Sequence, residues 1–278
     1  LAKFSQDKFL ANAKNYAIIN EEVCIMISLN FFMPNSAGEN RHYQLFGLAH
    51  ILWLVIPLII LIGLCFLVRL LKQKGYGKYN KYLIWGIAGA MILLRIVKYY
   101  IFKPFFWDET WKEIIPFELC TIMSFVFPFT VFPKADKLNT YIYPLGIIGG
   151  FVTIAYSEWI FNGYGLDFNK WESLIVHWLL VYLPYIRLAN SEFRFRIQDY
   201  YRPLVALIIL VIYAWIANTF ITPGANHMFL VKNPLPMQIP GLHHLFTLGL
   251  MAIAIIFLLY APFIKGKCLR KGQNQVKQ

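Results

Sequence analysis

Residues 45–71 read LFGLAHILWLVIPLIILIGLCFLVRLL, an apolar run whose only imidazole or charged side chains are His50 near its start and Arg69 near its end. A helix rises about 1.5 Å per residue and a hydrocarbon core of about 30 Å takes about 20 residues to cross, so this stretch spans a bilayer by itself. The rest of the chain is of the same kind. Of 278 residues, 59% are hydrophobic and 14% charged, a balance foreign to soluble domains.

Six further stretches are long enough, or nearly so, to cross: Lys81–Lys103, Ile114–Phe132, Thr140–Trp159, Glu172–Ala189, Arg202–Ile221 and Leu242–Ile264. The fold class expected is therefore all-α, a polytopic membrane protein built as a seven-transmembrane-helix bundle over residues 45–264. Pro116, Pro128 and Pro133 should kink or end the third helix, which a membrane tolerates where neighbours satisfy the freed carbonyls. Gly146, Gly149 and Gly150 allow another backbone to approach the fourth closely.

The net charge of +12 does not point to nucleic acid, because Lys and Arg fall mostly in short loops between apolar runs, where they orient helices and meet anionic headgroups. Sixteen of them lie on one side of the seven spans and eight on the other. The richer side is cytoplasmic by the positive-inside rule, which puts the N-terminus outside and leaves residues 265–278 as a basic cytoplasmic tail. Trp107, Trp111, Trp159 and Trp171 then gather at the external ends as an interfacial belt. Residues 1–44 read as an external interfacial helix followed by a loop from Pro34 to Asn40. The chain opens on Leu1 without an initiator methionine, so a preceding residue or longer segment is expected. Four cysteines, Cys24, Cys65, Cys120 and Cys268, are too scattered for a disulfide framework or a Cys/His metal signature.

Polar residues are confined to one depth. His50, Arg95, Lys98, Glu118, Cys120, His177, Asn218, His243 and His244 all fall within about 12 Å of the external helix ends at about 1.5 Å per residue. A charge at membrane depth costs about 2.5–3.5 kcal/mol on insertion scales, so these groups should face inward and find partners. The inference is a polar cavity open to the outer leaflet. Lys98 either snorkels to headgroups or turns inward, and Arg95 either pairs with Glu118 or grips a phosphate or carboxylate through its fork. Asp108, Glu109, Glu113 and Asp167 read as solvated loop charges.

Cys120 and His177 each have an ordinary reading as packing residues. Placed together at this depth they also make a nucleophile and base, with His50, His243 or His244 as other candidates for the base. Zinc held by the histidines and Glu118 is not supported by any spacing, and neither a metal nor a cofactor is expected.

The landmarks Gln44-Leu-Phe-Gly-Leu-Ala-His50, Ile115-Pro-Phe-Glu-Leu-Cys120, His177 and Pro223-Gly-Ala-Asn-His-Met-Phe229 resemble, in order and spacing, the YwaF-like family of bacterial integral membrane proteins. That family is distantly related to a eukaryotic transmembrane ether-phospholipid acyltransferase and, more remotely, to the androgen-induced transmembrane hydrolases of fatty-acid esters. The resemblance runs from about Gln44 to Phe263. It implies acyl transfer by Cys120 and His177, with threonine replacing the cysteine in the remote hydrolases. Two departures stand out: Glu118 where histidine is common, and His227 where tyrosine is common.

The function expected is lipid acyl transfer in the cell membrane. Cys120 attacks an ester, His177 moves the proton, and Arg95 with Lys98 holds the phosphate of a membrane phospholipid or lysophospholipid. Glu118, His50 and His243 line the site, and Asn218 or Asn226 donates to the oxyanion. The alternative from another class is a transporter or binding protein for a small anion or lipid headgroup anchored by Arg95; a third is a structural protein whose polar layer locks helices.

Overall fold

The computed structural model of the chain describes Phe31 and residues 39–103, 115–132, 135–158, 160–233 and 243–263. Among them are seven α-helices, one in each of the seven apolar stretches: α1 Leu48–Gln73, α2 Asn80–Ile96, α3 Leu119–Val126, α4 Asp136–Ala155, α5 Phe168–Ala189, α6 Tyr201–Ile216 and α7 His244–Tyr260. A π-helical segment, Val97–Phe102, extends α2, and another, Ala217–Ile221, extends α6. Five of these helical rods are long and apolar enough to cross a membrane: those of α1, α2, α4, α6 and α7. The chain is thus a multi-pass helical membrane protein. The N-terminal interfacial helix, the basic tail, Trp107, Trp111 and Trp159 lie outside the described residues.

The two helices that miss that test do so for physical reasons. In α3 the backbone tightens to a 3-10 turn at Phe127–Val131, with Pro128 near its start, and the helix ends there as the prolines require. In α5 the obstacle is polarity, since Lys170, Glu172, Ser173, His177 and Arg187 all lie on it. Those side chains are buried all the same, because α5 is the centre of the bundle and packs against α1, α2, α3 and α4. A helix enclosed by others need not be apolar all round, provided that its polar groups are paired.

Packing around α5 follows from small residues and from carbonyls left without donors. A Cβ on Gly150 of α4 would stand 2.6 Å from the His177 carbonyl oxygen, so only glycine lets the two backbones approach. At Gly146 a Cβ would fall 2.0 Å from the Phe127 ring, which locks α3 onto α4. Pro57 cannot donate to the carbonyl four residues earlier on α1. The Trp178 indole of α5 donates to that carbonyl, on Trp53, at 2.9 Å, and the Tyr182 hydroxyl donates to the carbonyl of Pro57 itself.

The C-terminal end of α5 is tied down by Arg187. Its guanidinium donates to Tyr143 Oη at 2.6 Å, to the Thr130 carbonyl at 2.7 Å and to Glu192 Oε2 at 3.0 Å. Nearby, Asn80 donates to the Val68 carbonyl at 3.0 Å and to Asn190 Oδ1 at 2.8 Å, joining α1, α2 and the end of α5.

Two expectations about loops are corrected at the other end. Glu39 and Asn40, the end of the expected loop, instead begin strand β1, Glu39–Gln44, which pairs antiparallel with β2, Asn162–Tyr164, from the α4–α5 connection. The alternation of β1 is too short and polar to show in the sequence, and pairing decides it. Asp167, expected as a solvated charge, is buried and caps α5, its Oδ1 accepting the Lys170 N–H at 3.0 Å.

Candidate functional site

The helix ends that meet around the start of α5 carry the polar residues singled out in the sequence. Glu172 stands in the first turns of α5, directly across from the last turn of α2. Its Oε1 lies 3.2 Å from Arg95 Nη1 and its Oε2 3.0 Å from Lys98 Nζ, with all three side chains buried. Two cations thus share one carboxylate, and the buried cluster keeps a surplus of one positive charge. Both cations also face the ring of Tyr99, with Arg95 Cζ at 5.6 Å and Lys98 Nζ at 5.9 Å from its centroid.

This corrects the partner expected for Arg95, and the snorkelling alternative for Lys98. Glu118 does not meet Arg95; its Oε1 lies in hydrogen-bond contact with His227 Nδ1 at 3.1 Å, and its carboxylate accepts the Met228 N–H at 3.2 Å. Glu172 is the site residue that the sequence reading missed. It was available there as the one carboxylate of the fifth span, standing at the span's first position.

His177 lies one and a half turns further along α5. Its Nδ1 donates to the Ser173 carbonyl at 2.6 Å, with the Ser173 hydroxyl 3.2 Å away. That bond places the proton of the neutral ring on Nδ1 and leaves Nε2 as an acceptor. Nε2 is buried and has no hydrogen-bond partner among the described residues, and the same holds for Arg95 Nε. An acceptor and a donor stand unpaired in one cluster, where each unsatisfied buried group costs about 1–3 kcal/mol.

Cys120 occupies the first turn of α3, preceded by Glu118 at the N-cap position. Its thiol is free and half-buried. The first-turn position puts the positive end of the helix dipole beside the sulfur. Arg95 lies within electrostatic range of both the Cys120 thiol and the His177 ring, so α2, α3 and α5 converge on one region. Thr121, the next residue, accepts the Tyr99 hydroxyl at 3.4 Å.

The remaining sequence candidates have other partners. His50 is fully buried; its Nδ1 accepts the Phe46 N–H at 2.9 Å and its Nε2 meets the Ile154 carbonyl at 2.8 Å, so both nitrogens are used in holding α1 to α4. Asn218 is spent on His227, accepting its N–H at 3.0 Å and donating to its carbonyl at 3.1 Å. Asn226 organises the following turn through the Val231 and Lys232 N–H groups. His243 caps the exposed start of α7, its Nδ1 accepting the Leu245 N–H at 3.3 Å.

Beside Cys120 a cavity of about 420 Å³ is lined by Tyr99, Lys103, Phe117, Glu118, Thr121 and His227, among others. It has the size of a small-molecule site, one cation and one carboxylate on its walls, and aromatic rings between them.

A helical bundle that buries an ion-paired cluster and an unpaired imidazole at one end, beside a cavity, defines a multi-pass membrane protein with a polar site set into its helix ends. The chain belongs to the TMEM164 family, whose sequence model matches residues 45–260. No curated protein and no solved structure matches it.

Proposed function

We propose that this chain is a lipid acyl-transfer enzyme of the cell membrane that works through Cys120 and His177. The observation that carries the reading is His177 itself: a buried imidazole held at Nδ1 by the Ser173 carbonyl, with Nε2 left bare. A structural histidine has both nitrogens occupied, as His50 does. A general base needs one held and one open.

In the proposed cycle Nε2 takes the Cys120 thiol proton while the sulfur attacks the carbonyl carbon of a lipid ester. The C–O bond then breaks, the lysolipid oxygen leaves with the proton returned by His177, and the acyl chain stays on sulfur as a thioester. A lysophospholipid hydroxyl, or water, gives its proton to Nε2 and attacks the thioester, and the thiolate regains that proton. Arg95 and Lys98 keep one positive charge in surplus over Glu172, which favours the phosphate of the substrate and the developing oxyanion.

The same reading takes all seven helices across the bilayer with the N-terminus outside. The distribution of Lys and Arg supports that orientation, and it opens the site to the outer leaflet. The polar α5 crosses because its neighbours enclose it.

Acyl exchange in vesicles containing a phospholipid and a labelled lysophospholipid tests the proposal. Wild-type protein transfers acyl chains; Cys120→Ser and His177→Ala, with unaltered melting temperatures, lose at least about 100-fold in rate. Undiminished exchange in both variants removes the mechanism.

A further inference from the structure

A second constellation, distinct from Cys120 and His177, sits on the connection that follows α6. His227 Nδ1 is 3.1 Å from Glu118 Oε1, and His227 Nε2 is 3.0 Å from Thr222 Oγ1. A carboxylate only accepts, so the proton lies on Nδ1 and Nε2 is free to accept from the threonine hydroxyl. Carboxylate, imidazole and hydroxyl therefore stand in the order that activates an oxygen nucleophile.

The supports of this chain are specific. Met228 N–H steadies the Glu118 carboxylate, and Asn218 grips the His227 backbone on both sides. The ring packs on Phe117, centroid to centroid 4.9 Å. Thr222 Oγ1 also lies 3.2 Å from the Ala217 carbonyl, so its single proton has two acceptors, the imidazole being the nearer.

The backbone around it is unusual on both sides. The π-helical turn Ala217–Ile221 ends directly before Thr222, and such turns are frequent at functional sites. Met228 and Phe229, directly after His227, have φ of 52° and 58°, left-handed values that cost non-glycine residues about 1–3 kcal/mol and gather at active sites. Glu118 and His227 both line the 420 Å³ cavity, to which Lys103 brings a cation. Their side chains are 43% and 21% exposed, so substrate can reach them.

We infer that Thr222, His227 and Glu118 form a hydroxyl-nucleophile centre that hydrolyses carboxylic acyl esters at the membrane interface. Thr222 Oγ attacks the ester carbonyl carbon as its proton passes to His227 Nε2. The ester C–O bond breaks, the leaving alcohol takes that proton, and an acyl-threonine ester remains. Water then attacks it, giving its proton to Nε2, and the carboxylic acid departs as Thr222 is reprotonated. Glu118 holds the ring and offsets the charge of the imidazolium. The inference does not rest on Cys120 being a nucleophile.

The test uses the full chain in detergent, with Cys120→Ala as the common background so that position 120 offers no nucleophile. Hydrolysis of 4-nitrophenyl butyrate is measured, and a fluorophosphonate probe, which loses fluoride to a reactive hydroxyl, is mapped by peptide mass spectrometry. The background protein should hydrolyse the ester and carry the phosphonate on Thr222. Adding Thr222→Val or His227→Gln should lower hydrolysis at least about 100-fold, while Thr222→Ser, which keeps the hydroxyl, should keep both turnover and adduct. Absence of hydrolysis in the folded background protein, turnover indifferent to Thr222→Val, or an adduct on another residue would each overturn the assignment. A Thr222→Ser protein that melts normally and is inactive would do the same.

Discussion

The indole N–H of Trp178 donates to the carbonyl of Trp53 at 2.9 Å, the very carbonyl that Pro57 leaves without a helical donor. A defect in α1 is thus repaired by α5, and the repair fixes how the central helix is rotated within the bundle. Trp178 follows His177 directly in the sequence, so the same contact sets where the imidazole points.

Trp178→Phe should destabilise the protein by about 1–3 kcal/mol, the cost of a buried carbonyl left unsatisfied. Pro57→Ala gives α1 back its own donor, so the double variant should recover most of that loss. Thermal melting of the two single variants and the double in detergent measures the coupling; simple additivity would mean the indole bond carries nothing.

Glu172→Gln leaves Arg95 and Lys98 buried beside a neutral amide. Breaking a buried ion pair from one side costs about 3–5 kcal/mol, and a loss of that order is expected in denaturant titrations. Adding Lys98→Met removes one of the two unbalanced cations and should restore part of the stability. A double variant weaker than the single would contradict this account of the cluster.

Gly150 and its neighbour Gly149 make a matched pair of controls. Alanine at 150 meets the backbone oxygen of His177 at 2.6 Å, whereas at 149 the nearest atom is Leu119 Cδ2 at 3.5 Å, an ordinary contact. Gly150→Ala should cost about 1–3 kcal/mol and reduce acyl exchange by displacing His177. Gly149→Ala should melt and work like wild type.

Arg187 binds at the end of α5 remote from the site. Arg187→Lys cannot reach the Tyr143 hydroxyl, the Thr130 carbonyl and Glu192 together, and should lower stability by about 1–3 kcal/mol for the acceptors it leaves unsatisfied. Acyl exchange by the fraction still folded, normalised to folded protein, should not change.

Helix positions were legible in the sequence because hydropathy reports what lipid tolerates, and all seven apolar stretches hold a helix. The layer of Arg95, Lys98, Cys120 and His177 was legible too, since charge at membrane depth is conspicuous against an apolar background. Pairing was not. Arg95 stood near Glu118 by depth but meets Glu172 in space, because which helix faces which depends on close approaches such as Gly150 on His177, and these have no linear signature. His50 looked like a candidate base until both of its nitrogens proved to be held by backbone groups. Strand β1 escaped notice because its partner is distant in the chain and only three residues long.

Intact-protein and peptide mass spectrometry of wild-type protein incubated with phospholipid is the most direct test of the central claim, acyl transfer through Cys120. The account predicts an acyl adduct on the Cys120 peptide, removed by neutral hydroxylamine and absent from Cys120→Ser. Folded wild-type protein that exchanges acyl chains with no adduct on Cys120, or that shows neither adduct nor exchange, would contradict it.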